Sequence, residues 1–234
     1  MRRSAATATG AALAAGAAWS LPALAPLLPS LCAPLGIPRT LPGDEPVVAL
    51  TFDDGPHPRG TPAVLEALAT AGARATFFLI GEQVRRSPSL AAEIVAAGHA
   101  VALHGDRHRL QLRFTPRALA ADLDRGHATI AEATGVAPRW YRPPFGIFSP
   151  AGLASVRRRG WAPLLWSRWG HDWRLHRSPA QIAGELTGRL EAGDVLLLHD
   201  ADDYSQPGSW QRTVAALPAV VEAIERRGLA TVAL

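Results

Sequence analysis

The chain contains no lysine. All 24 fixed side-chain cations are arginine, against 20 Asp and Glu, leaving a net charge of +4. With abundant Ala, Gly and Pro, this fits the codon usage of a GC-rich genome. A specific anionic partner, nucleic acid or an acidic wall polymer, is the sharper alternative. The arginines are scattered rather than gathered in one stripe, which argues against nucleic acid. Cys32 is the only cysteine, so no intrachain disulfide forms. No Walker phosphate loop and no G-x-S-x-G elbow occur, which makes a serine hydrolase a poor rival. No internal repeat or second domain is legible.

Apolar residues make up 48% of the 234, enough for one α/β domain with a sizeable core. The N-terminus stands apart. Arg2 and Arg3 precede an uncharged Ala- and Leu-rich stretch from Ser4 to about Pro38. A basic start followed by an apolar run is expected to be a signal peptide or a membrane anchor. Pro22, Pro26, Pro29 and Pro34 argue against one regular spanning helix. The expected division is residues 1–40 as signal or anchor with linker, and 41–234 as a single catalytic domain outside the cytoplasmic membrane.

From about Pro46, short apolar runs alternate with helical patterns. Expected strands are Val47–Phe52, Ala75–Ile80, Ala100–Leu103, Trp140–Arg142, Ala162–Trp166, Val195–Leu198 and Leu229–Val232. Thr61-Pro62, Thr115-Pro116, Ser149-Pro150 and Ser178-Pro179 each set a capping hydroxyl before a proline at the first helical position. Gly72, Gly98, Gly135, Gly160, Gly193 and Gly228 read as helix stops. The longest helix is expected from Pro116 to Thr134. This βα rhythm predicts about seven parallel strands with helices outside. Polar residues close many of the strands, which favours a barrel over an open doubly wound sheet.

Those strand ends carry the chemistry. Thr51-Phe52-Asp53-Asp54-Gly55-Pro56 sets two carboxylates at the end of an apolar run, which is costly unless they are paired or metal-bound. If the pleat continues, they point to opposite sides. One would then ligate a metal and the other take a proton from water. His104-Gly105-Asp106-Arg107-His108 offers two imidazoles four residues apart. Two histidines and a carboxylate make the three-ligand set of a catalytic zinc site. Arg142-Pro143-Pro144-Phe145-Gly146 can aim a backbone N–H at an oxyanion, while its arginine holds a carboxylate ionised. Asp172-Trp173 and Leu198-His199-Asp200 suggest an acid–base histidine with a carboxylate in reach. The bland alternatives are solvated loop histidines, an Asp-Gly-Pro turn, a rigid surface turn and a structural histidine.

In this order, TFDDGP, H-x-x-x-H, R-x-P-[FY]-G, Asp-Trp and L-x-L-H resemble the polysaccharide deacetylases of carbohydrate esterase family four, kin of the nodulation chitooligosaccharide deacetylases. The resemblance covers about residues 46 to 234. It implies a distorted (β/α) barrel and metal-dependent removal of N-acetyl groups from N-acetylglucosamine-containing polysaccharide. It further implies Asp53 as general base and Asp54, His104 and His108 as metal ligands. Arg142 resembles the partner of the base, and the Phe145 N–H an oxyanion donor. Leu198 and Trp173 resemble acetyl-pocket walls, and His199 a general acid oriented by Asp172. The implied cofactor is a divalent ion, zinc first, with cobalt or another ion as alternatives. The expected molecule is a monomer acting on an N-acetylated glycan, with no nucleic-acid partner and an N-terminus that engages the membrane. An O-acetyl esterase and a silent wall-glycan-binding module are the rival functions. Two departures stand out: Gly105 where the family has Ser or Thr, and Trp169 where it often has Asp.

Overall fold

The computed structural model describes residues 21–234. Arg2, Arg3 and the first half of the apolar stretch lie outside the described residues. Among the described residues, no helix is long and apolar enough to cross a membrane.

Eight strands form one sheet: β1 (Val47–Asp53), β2 (Thr76–Leu79), β3 (Ala100–Leu103), β4 (Trp140–Tyr141), β5 (Ala162–Pro163), β6 (Arg168–Trp169), β7 (Val195–His199) and β8 (Ala230–Val232). All pairings between them are parallel, in the order β5-β4-β3-β2-β1-β7-β6, with β8 on the first half of β1. The seven strands of that path make a half-barrel with helices outside, as the βα rhythm predicts. β1 is its centre. Six of its seven residues are buried, because parallel strands are covered on both faces. Phe52 stacks on Phe77 of β2 at 5.1 Å.

One strand differs from expectation. Ala162–Trp166 is not continuous: β5 ends at Pro163, and β6 follows as a separate strand. The chain changes partner there, leaving β4 and joining β7. β5 and β6 do not pair with each other. The seam between them is filled from the N-terminal side. Leu165 N–H donates to Pro38 O at 2.9 Å, and Arg39 Nε to Trp166 O at 2.7 Å. Thr40 bridges Asp194, and Leu41 N–H reaches Gly193 O at 2.8 Å. Ala25, Cys32 and Ile37 join the same core, so the described part of the apolar stretch packs on the domain.

Three of the four capping signals act as expected. Thr115, Ser149 and Ser178 accept from the N–H groups of Ala118, Gly152 and Gln181. Helix Pro116–Thr134 has the expected bounds and ends on Gly135. Thr61 is a correction. Its helix starts two residues before Pro62, at Gly60, with no hydroxyl cap. The Thr61 hydroxyl instead donates to buried Asp200, and His57 Nδ1 takes the Gly60 N–H at 2.8 Å. Gly193 is another. Helix Pro179–Thr187 has already ended, and Gly193 turns the chain into β7.

Candidate active site

Asp53 ends β1, and Asp54 follows it with φ +82°. That left-handed residue breaks the pleat, so the expectation of opposed carboxylates fails. Both line one cavity of about 240 Å³ at the C-terminal ends of the strands. His104 Nε2 lies 3.7 Å from Asp53 Oδ2 and 3.5 Å from Asp54 Oδ1. His108 Nε2 lies 3.3 Å from the same Asp54 oxygen. His104 Nδ1–H donates to Arg142 O at 2.8 Å, which turns the bare Nε2 lone pair inward.

These three side chains fit a divalent cation. Their ligand atoms lie within 4.8 Å of one another. Asp54 Oδ1 is buried with no hydrogen-bond donor, a costly state that a bound cation relieves. Burial, aided by the Asp53, Asp200 and Asp172 charges and opposed by His199, pushes Asp54 up to about 7. Burial lowers His104 to about 4, Arg142 adding to it, and burial with the two neighbouring imidazoles lowers His108 to about 3. Neutral imidazoles are the ligand form. A second group, His57, Asp202 and Asp203, does not fit. His57 Nδ1 accepts from Gly60 and Arg59 N–H, so Nε2 carries the proton and donates to Asp202 at 3.2 Å.

Arg142 is fully buried beneath Asp53. Its Nη1 reaches Asp53 Oδ1 at 2.7 Å and Thr51 Oγ1 at 3.0 Å. Nε and Nη2 donate to Leu164 O and Leu165 O at 3.2 and 3.1 Å. A buried guanidinium is tolerable only with partners of this kind. Phe145 follows in a tight turn at φ +62°, with its ring edge-on to His108 at 4.6 Å.

On the far wall, His199 Nδ1 meets Asp172 Oδ1 at 2.9 Å. Asp172 Oδ2 also accepts from His199 N–H and Thr213 Oγ1, both at 2.7 Å. Burial alone would lower the His199 pKa; the Asp172 charge and hydrogen bond, aided by Asp54 and Asp53, push it up to about 10. Burial would raise Asp172, but His199 and its other donors hold it below the usual carboxylate range. The pair is complete although Trp169 stands three residues earlier.

Trp173 packs edge-on to His199 at 5.4 Å and lines the cavity. Leu198 does not line it. Alternation along β7 puts Leu197 on the His199 side and Leu198 on the opposite face, so Leu197 forms the wall. Beyond Leu197 and Gly146, the lining residues that carried no expectation as site members are Trp166, Trp169, Tyr204 and Ser205. Tyr204 stacks on His108 at 4.2 Å, its hydroxyl donating to Glu82 at 2.7 Å and accepting from Gln83 at 3.1 Å. Its loop shows no periodicity that would have marked it.

The histidine loop is well secured without a hydroxyl at position 105. Gly105 has φ +105°, a conformation costly for any residue with a Cβ. Asp106 N–H donates to Asp122 Oδ2 at 3.0 Å. The Asp106 carboxylate pairs with Arg85 at 2.6 Å and Arg125 at 3.2 Å, and Asp122 pairs with Arg107 at 3.2 Å. Gly126 lets helix Pro116–Thr134 press against this loop; a Cβ there would stand 2.8 Å from Asp106 N.

Residues 40–163 match the polysaccharide deacetylase family model. The chain is 34% identical over 191 residues to a peptidoglycan-N-acetylglucosamine deacetylase of Bacillus cereus, covering 80% of this chain and 86% of that one. It is 35% identical over 188 residues to a chitooligosaccharide deacetylase of a Bradyrhizobium strain, covering 77% and 85%. A crystal structure of a peptidoglycan N-acetylglucosamine deacetylase superposes with TM-score 0.80 at 26% identity, over 88% of this chain and 94% of the other. On the sequence match and the shared half-barrel, the chain belongs to the polysaccharide deacetylase family.

Proposed function

We propose that this chain is a metal-dependent polysaccharide N-deacetylase acting on N-acetylglucosamine units. One observation carries it most directly: the buried, donorless Asp54 Oδ1 set between two imidazole Nε2 atoms. Asp54, His104 and His108 would hold the cation, and two nitrogens with one carboxylate suit zinc. Cobalt or another divalent ion is an alternative occupant. When bound, the ion supplies Lewis-acid polarisation of the acetamide carbonyl and of water.

The remaining chemistry belongs to the chain. Asp53 Oδ1 is taken by Arg142, which leaves Oδ2 to accept a proton from the attacking water. The Phe145 N–H would donate to the developing oxyanion. His199 holds Asp172 with Nδ1, so Nε2–H is the proton that passes to the departing amine. C–N cleavage then yields acetate and a glucosamine unit. Leu197 and Trp173 would receive the acetyl methyl group, with Trp169 beside them at 5.3 Å. A silent binding module would have no use for this matched base and acid.

The decisive experiment is acetate release from N-acetylglucosamine oligomers and glycan strands. Asp53→Asn is expected to lose about 10²–10⁴-fold in kcat while still binding one metal ion per chain. Unchanged turnover would overturn the role of Asp53. The basic, apolar start of the chain supports secretion or anchoring at the cytoplasmic membrane, with the catalytic domain outside and cell-wall glycan in reach. A cavity complete within one chain supports a monomer. Protease accessibility in intact cells tests the location.

A further inference from the structure

Beside the catalytic cavity lies a second groove of about 860 Å³. The two share His108 and Phe145 as a common wall. Arg107, Arg109 and Arg113 line the groove, and no described carboxylate does. Arg107 is engaged by Asp122. Arg109 and Arg113 are exposed, and among the described residues neither has a carboxylate within ion-pair distance. The backbone beneath them is held. Gln111, between the two, is 1% exposed; it accepts from Ser149 N–H at 2.8 Å and donates to Tyr141 Oη at 2.6 Å. The held turn sets where the two unpaired guanidinium groups emerge, so an arriving anion orders their side chains but not the backbone beneath them.

We propose that this groove is an accessory subsite for the substrate strand, and that Arg109 and Arg113 bind carboxylates on sugars flanking the acetylated one. The inference rests on the deacetylase reading and sharpens it: the preferred substrate is an acidic glycan rather than a neutral chitin-like chain. Guanidinium groups match carboxylates in shape and charge. The exposed Phe145 ring, at the divide between cavity and groove, offers a face for the intervening sugar. Two sources carry the chemistry: lactyl or peptide carboxylates on a peptidoglycan strand, and uronates in an exopolysaccharide.

The test compares three substrates: a neutral N-acetylglucosamine oligomer, a muramic-acid-containing strand and an acetylated uronate-containing oligosaccharide. Each is assayed with the parent chain and with Arg109→Gln/Arg113→Gln. The double change should raise KM for an acidic substrate by roughly tenfold, about threefold per arginine, and leave the neutral one within about twofold. Raising salt to about 0.5 M should remove the acidic preference of the parent chain. Equal losses on neutral and acidic substrates, or no loss on either acidic one, would overturn the proposal. The acidic substrate that responds identifies the carboxylate source. Calorimetric binding of the two acidic glycans reports on the groove without turnover. If no substrate releases acetate, the deacetylase reading fails; binding lost in the double variant still upholds the groove, and binding retained overturns it.

Discussion

His199 and Asp172 show how one contact sets both a pKa and a pH window. Below about pH 6.5, the unfolded imidazole value, the raised His199 contributes its full stability. That contribution is lost as pH rises through about 10. Asp172, depressed by the same contact, contributes above about 3.9 and loses its share as pH falls through its native value. For Asp172→Asn we expect the alkaline limb of kcat to move down toward the ordinary imidazole range. The Tm deficit of the variant should shrink as pH rises from about 6 to about 10. An unmoved alkaline limb would remove His199 as the acid. Polar residues here were legible because each closes an apolar run: Asp53, Asp54, His104, Arg142 and His199. The pocket wall falls on Leu197 rather than Leu198: a run of three leucines hides which one faces the cavity, and the residue two before His199 shares its side of the strand. Tyr204 left no trace, since its contacts to Glu82 and His108 come from distant segments.

At the scale of elements, the loop 104–108 answers the departure at Gly105. Without a hydroxyl at position 105 the loop has one hydrogen-bonding group fewer to steady it. The loop is instead braced by Asp122 and by a helix that comes close at Gly126. Restoring a hydroxyl with Gly105→Ser should therefore harm. The strain of φ +105° is expected to cost about 1–3 kcal/mol of stability, read as a lower Tm, with no gain in metal affinity. Tighter metal binding would show that the hydroxyl matters more than the backbone. Asp122→Leu strands the Asp106 N–H and frees Arg107. It should weaken metal binding, measured by titration with cobalt, more than Asp122→Asn, which keeps an acceptor. Helices were the most legible elements, because capping residues and glycine stops act locally. The two-residue β6, outside every expected strand, was not. Strands that short exist through their neighbours, and neighbours are not written in the local pattern.

Across the whole molecule, the βα rhythm made the half-barrel legible, while the seam was not. An unbroken apolar stretch reads as leader or anchor, yet Ala25, Cys32 and Ile37 lie in the core. Ile37→Ala is expected to cost about 2–5 kcal/mol, as for other filled core sites. A saturating cation should raise stability by about 2.7 kcal/mol at a hundredfold excess over Kd, and chelation should reverse it. Calorimetric melts with and without metal check both.

The strap of residues 38–41 across the seam has a further effect. It occupies backbone groups between β5 and β6 that would otherwise face outward as unsatisfied edges. A chain begun at residue 42 would offer those edges to other copies of itself. Light scattering should detect the resulting clumping, and a synthetic peptide spanning the strap, added back, should suppress it.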